Sequence, residues 1–220
     1  MLIYYCSIFA CFFSIFLKDK RLKFFILLGL LIFLCGGYMC GTDWRSYEYA
    51  YNHSSLATVD QELFELGYSY LQAIFHTIGI DFWLFHIVFK FLVFSSLCYF
   101  VRVFKQDVRY FKQDLFLFWF LFLPDMGFYL FIDCPFRNLL AAGGFFWGIR
   151  LLLERKTFLF FLLTFFLSLL HSSAWFLVIV YMCAKIDLKN RYYVILFLIS
   201  NILAYRLDLI TDYILLPILG

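Results

Sequence analysis

The chain has 220 residues, 65% of them hydrophobic and 25% aromatic, with a net charge of +3 and a mean hydropathy of +0.89. This composition excludes an ordinary soluble domain, and so small a positive charge gives no basis for a nucleic-acid partner. Charges fall between apolar runs of roughly 17 to 25 residues, the length that crosses a hydrocarbon core about 30 Å thick, so the expected fold is all-α. It is a polytopic transmembrane helical bundle of about seven membrane segments, forming a single domain over 1–220.

The first run, 1–17, lacks a basic start and a small-residue cleavage site, and Lys18, Lys20, Arg21 and Lys23 follow it, so it reads as a retained helix rather than a signal peptide. Lys and Arg in short loops mark the cytoplasmic side, which places 18–23 inside. A second helix, 24–40, then leads to an outer loop, 41–81, where Arg45 stands against Asp43, Glu48, Asp60, Glu62, Glu65 and Asp81. Within that loop Leu63, Leu66, Tyr70, Ile74 and Ile78 recur at three-to-four spacing and predict an amphipathic interfacial helix over 61–79. It either lies on the membrane surface or packs against the bundle. A third helix, 82–104, returns to a basic loop with Arg102, Lys105, Arg109 and Lys112, and a fourth, 115–132, goes out again. Asp133 to Arg137 is then external, and the fifth helix, 138–153, ends inside at Arg150, Arg155 and Lys156.

As one straight helix at about 1.5 Å per residue, the run 157–184 would span about 42 Å and put Lys185, Lys189 and Arg191 outside. A break at His171-Ser172-Ser173 makes it a broken hairpin of two short half-helices and keeps those cations inside. A tilted single helix is the alternative. Interrupted helices at membrane depth are tolerated where protein or a watery cavity receives the backbone, so the break itself points to a site. A last helix, 192–206, leads to a tail with Asp208 and Asp212.

This topology brings Asp43, Arg45, Arg137 and His171 from separate segments to the outer face. Acid, cations and imidazole together suit an anionic, partly lipidic substrate. The bland alternatives are that Asp43 caps a helix starting near Trp44, that Arg137 anchors a helix end in headgroups, and that His171, Ser172 and Ser173 satisfy backbone at the break. Trp44, Tyr47 and Tyr51 fit an interfacial aromatic belt or a sugar-stacking surface. His86 and Lys90 share one face of the third helix, where Lys90 either meets an anion or pairs with Asp125.

The run Gly41-Thr42-Asp43-Trp44-Arg45-Ser46-Tyr47, then Glu65-Leu66-Gly67-Tyr68, then Arg137-Asn138-Leu139-Leu140-Ala141, then His171-Ser172-Ser173-Ala174, resembles in order and spacing the landmarks of the EpsG family. Asn138 stands where that family commonly has Gln. The family comprises polytopic proteins of bacterial exopolysaccharide and capsule clusters, similar in role to Wzy O-antigen polymerases. Its members usually continue through further helices, so this chain is expected to be an amino-terminal portion or a truncated member. The resemblance implies a glycosyltransferase-type polymerase of the bacterial cytoplasmic membrane, acting outside on saccharide repeat units carried by a polyprenyl diphosphate. Other export and assembly proteins are its expected partners.

For that chemistry Arg137, then Arg45, would hold the diphosphate, because a guanidinium binds phosphate through a planar fork and stays charged. Asp43, or alternatively His171, would take the acceptor's proton. Trp44, Tyr47, Glu65, Asn138 and Ser172 are the remaining substrate-binding candidates. A transporter or flippase for the same lipids, or an inactive truncated member, are the competing readings. No metal or cofactor is expected: the seven cysteines form no Cys-x-x-Cys pair, and there is neither a Gly-rich phosphate loop nor an Asp-x-Asp motif.

Overall fold

The structure, a computed structural model, describes residues 2–37, 41–57, 59, 64–107, 115–133 and 135–185. The expected helix at 192–206 therefore lies outside the described residues, as do Cys40, Cys134, Asp60 to Leu63, and the basic loop around Arg109 and Lys112. Chain contacts divide the protein into two units, Met1–Ile179 and Val180–Gly220. Of the second, only the helical turns up to Lys185 are described.

Among the described residues every regular element is helical. Helix α1 (Leu2–Phe16) is followed by α2 (Lys20–Cys35), whose N-terminus is set by Asp19: its carboxylate accepts the Arg21 N–H at 2.8 Å. This cap starts α2 ahead of the expected 24, and Gly36 closes it before 40 by returning its N–H to Ile32 O at 2.9 Å. The segment expected as an outer loop contains two helices, α3 (Trp44–His53) and α4 (Leu66–Thr77). Tyr51 donates to Ile80 O at 2.6 Å, and His76 Nδ1 meets Ser54 O at 2.9 Å. The first ties α3 to the turn that enters the next helix, and the second ties the end of α4 to the end of α3.

That helix, α5 (Phe82–Asp107), is started by Asp81, whose side chain accepts from the amides of Trp83 at 2.9 Å and Leu84 at 3.1 Å. Its stretch Phe82–Val103 has a mean hydropathy of 1.9 and, among the described residues, is the helix long and apolar enough to cross a membrane. Ile3–Phe16, Leu115–Gly127, Thr157–Leu170 and Ser172–Met182 are apolar but shorter. The expected fourth helix is not uniform. It begins as α6 (Leu115–Phe122), and from Pro124, which has no N–H to give, widens into two π-helical turns, Leu123–Gly127 and Tyr129–Asp133.

Helix α7 (Phe136–Leu153) packs chiefly on α5 and on α8 (Thr157–Leu170). Gly144 and Gly148, one turn apart, abut Leu167 and Leu163 so closely that a Cβ would collide with them. Small residues at such spacing let two helices approach closely. The expected break is present: His171 is extended (φ −160°, ψ 129°), and a 3-10 turn, Ser172–Trp175, leads to α9 (Phe176–Lys185).

The core lies among α2, α3, α5, α6, the π-helical turns and α7, where Trp119 stacks on Phe94 at 4.7 Å and Tyr51, Phe85, Phe131 and Phe136 are fully enclosed. Helix α4 turns Tyr68, Ser69, Gln72 and Ala73 inward, while Leu66, Tyr70, Ile74 and Ile78 are exposed. The helix starts at Leu66 rather than 61, since Phe64 and Glu65 are non-helical, and the described part of its apolar stripe has the predicted spacing and faces away from the described protein.

Candidate functional site

Three helix ends meet at one carboxylate. Glu65 is the residue before α4; its backbone is extended and its side chain does not cap its own helix. Gly67 explains the reach: a Cβ there would lie 2.8 Å from the carbonyl oxygen of Leu169, so only glycine lets the start of α4 come this close to the end of α8. Glu65 Oε2 accepts from Arg137 Nη1 on the first turn of α7, forming an ion pair. Its Oε1 receives His171 Nδ1 at 2.7 Å and the backbone N–H of Ser172 at 3.0 Å.

The break after α8 supplies two of those groups. His171 ends the helix by giving its N–H to Leu167 O at 2.9 Å, and its extended backbone turns the Ser172 amide out of the helical ladder. One residue on, Ser173 Oγ donates to Asn138 Oδ1 at 3.1 Å, binding the break to α7 a second time. The Arg137 guanidinium lies over the Phe64 ring at 4.6 Å, and Phe64 stacks on Tyr47 at 5.6 Å. The side chains of Glu65, Arg137 and His171 are 20%, 25% and 18% exposed, open enough for a ligand to touch them.

Burial would raise the Glu65 carboxyl, but hydrogen bonds from Ser172, its own amide, His171 and Arg137 outweigh it and hold the group down at about 2. It is a carboxylate at neutral pH, and a carboxylate only accepts, so His171 must carry its proton on Nδ1. The other ring nitrogen, Nε2, is thereby left to act on a ligand. Burial disfavours the charged form of Arg137, yet the Tyr47 hydroxyl and Glu65 more than restore it, so the guanidinium is held charged. Arg137 Nε has no hydrogen-bond partner among the described residues.

Glu65, Arg137, Asn138, His171, Ser172 and Tyr47 are thus brought together, with Ser172 contributing its backbone rather than its hydroxyl. Asp43 and Arg45 are not joined to them by any hydrogen bond or ion pair. Asp43 is exposed at the N-terminus of α3; its carbonyl accepts the Tyr47 amide at 3.1 Å, but its side chain makes no capping bond. Gly41, at φ +90°, lies against the carbonyl of Asp133, which brings this segment beside the chain entering α7. Arg45 lies over the Trp44 ring at 5.4 Å, and Trp44 faces Trp83 at 5.8 Å, forming a separate aromatic patch.

Deeper in α5, His86 stacks on Phe136 at 3.8 Å, one residue before Arg137. Lys90 is buried, whereas Asp125, the partner its sequence offered, is exposed and forms no ion pair with it. The central place of Glu65, the Phe64 platform and the Ser173 bond were not readable from local pattern. The signal for the first was the resemblance, which carries Glu65 in the run Glu65-Leu66-Gly67-Tyr68.

The EpsG family model matches residues 20–219. No curated protein and no solved structure matches the chain significantly.

Proposed function

The chain belongs to the EpsG family, and on that premise we propose that it is a multi-pass protein of the bacterial cytoplasmic membrane that polymerises polyprenyl diphosphate-linked saccharide repeat units at the outer face. The product would be an exopolysaccharide, capsule or O-antigen chain. The observation that carries the reading is the three-way junction of Arg137, Glu65 and His171, which pairs an anion-binding guanidinium with an oriented imidazole. The bilayer setting is supported by the apolar α5 and by the outward stripe of α4, which fits a helix lying in the interface.

In this scheme the acceptor hydroxyl attacks the anomeric carbon of the donor while the bond from that carbon to the diphosphate oxygen breaks. His171 Nε2 takes the hydroxyl proton, and the lipid diphosphate leaves as an anion held by Arg137. Glu65 fixes the imidazole tautomer and keeps the guanidinium pointed, the part a buried carboxylate plays in other acid–base pairs. Held near pKa 2 by four donors, Glu65 itself is too weak a base to accept the proton. Asp43, on the exposed lip of α3, is the second base and would act on a bound saccharide rather than within the junction. Trp44, Arg45 and Tyr47 offer stacking and hydrogen-bonding surface to sugars. Asn138 and the Ser172 segment would position the donor. The scheme needs no metal or cofactor.

The test is reconstitution of the full chain in vesicles with purified lipid-linked repeat units, following chain length. Elongation on the side where the lipids are supplied is expected. Movement of the lipids across the vesicle without elongation would replace the polymerase by a carrier, a reading to which the interrupted helix at His171 also lends itself.

A further inference from the structure

Beside the junction lies an apolar cleft of about 510 Å³ between the π-helical turns, α7 and the beginning of α9. Ala141 and Ala142 leave the space, and Phe122, Met126, Phe145 and Leu177 enclose it. Asn138 and Ser173, hydrogen-bonded to each other, are polar groups of the lining. They directly follow Arg137 and Ser172, so the polar end of the cleft adjoins the carboxylate junction. Met126 and Phe176 are 51% and 63% exposed, which leaves the cleft open to its surroundings along one side. The π-helical turns form one of its walls, and widened turns of this kind frequently mark functional sites.

We infer that this cleft seats the first isoprene units of the polyprenyl chain, with the diphosphate directed at Arg137. The inference deepens the polymerase reading and rests on it for the identity of the head group. A cleft of this volume falls in the range of small-molecule sites. Its lining is apolar apart from Asn138, Ser173 and the Tyr129 hydroxyl, which suits one hydrocarbon chain below one anionic head, whereas a diacyl phospholipid places two chains there. A methyl-branched chain gives knobs that fit between the Phe122 and Phe145 rings as aliphatic side chains do in a core. The open side lets the rest of a long chain pass into the bilayer.

The experiment uses the full chain in phospholipid nanodiscs with a polyprenyl diphosphate bearing a photoactivatable diazirine near its head, the labelled peptides being mapped. Label is expected on residues 122–130 and 141–146, to be competed by unlabelled polyprenyl phosphate and not by added phosphatidylglycerol. Ala142→Trp, which fills the cleft, should reduce labelling at least tenfold. Leu177→Trp, filling it from the opposite side, should do the same, so misfolding of one variant would not decide the matter. Undiminished labelling in both folded variants, competition by phosphatidylglycerol, or cross-links from the cleft to residues 186–220 would overturn the inference. Elongation that persists in variants without cleft labelling would overturn it while leaving the polymerase reading intact. Cleft labelling in a wild-type protein that does not elongate would support the lipid seat and retire the polymerase.

Discussion

Glu65 and His171, 106 residues apart in the chain, meet at 2.7 Å through Oε1 and Nδ1. The contact makes the imidazole's tautomer a property of the fold. Replacing Glu65 by Gln keeps the shape but removes the charge that Arg137, His171 and the Ser172 amide share. Charge-assisted hydrogen bonds are worth about 1.5–3 kcal/mol each in favourable settings, less where partly solvated, so Glu65→Gln should destabilise the protein by about 1–3 kcal/mol. Thermal unfolding in detergent measures this, and elongation should fall by about 100-fold in parallel.

The two proposed bases separate cleanly. His171→Gln should lower elongation by about 100-fold or more while photolabelling by the lipid donor is retained, the mark of lost acid–base catalysis rather than lost binding. Asp43→Asn, outside the junction, should cost less than about tenfold, which is under about 1.4 kcal/mol of barrier. The reverse order in single-turnover rates would return the proton-acceptor role to Asp43.

Stability should depend on pH through Glu65. Its carboxyl is lowered from an ordinary 4.5 to about 2 in the folded protein. The unfolded chain therefore binds the proton more readily, so the stabilisation is fully present above 4.5 and is lost as pH falls from 4.5 towards 2. Denaturation midpoints measured across that window should decline in the wild type. Glu65→Gln should show a shallower decline, its difference from wild type shrinking at the acid end.

Gly67→Ala should be damaging although alanine favours helices. The added methyl would lie 2.8 Å from the Leu169 carbonyl, forcing α4 away from α8 and drawing Glu65 off His171. An overpacked contact of this kind costs about 1–3 kcal/mol, read as a lowered midpoint. Gly79→Ala gives the comparison: nothing lies within 4 Å of its missing Cβ, so its cost is confined to its φ of +84°.

Much of this was legible because apolar period and charge act locally. Helices α5 and α7 and the break at His171 follow from run length, cation placement and the His-Ser-Ser step. Boundaries were less legible where a side chain chose them: Asp19 drew α2 back to Lys20, and Pro124 opened the fourth helix into π-helical turns. Arg137 and His171 converge as expected, but the carboxylate that joins them is Glu65 rather than Asp43. Asp43 and Arg45 fall at the same expected membrane face as Arg137, and a shared level does not make a shared contact. Glu65 lies far from both His171 and Arg137 in sequence and reaches them through Gly67, a close approach that no local spacing encodes.

The interruption after α8 turns a defect into a fastening. A continuous helix would hide the Ser172 amide in its own ladder and point His171 elsewhere; broken, it hands both to one carboxylate from another helix. Chemistry and assembly then hang on the same bonds. Selection for activity at this seam also selects the register in which three helix ends are buttoned together, so loss of Glu65, the one carboxylate they share, is expected to weaken folding and turnover together.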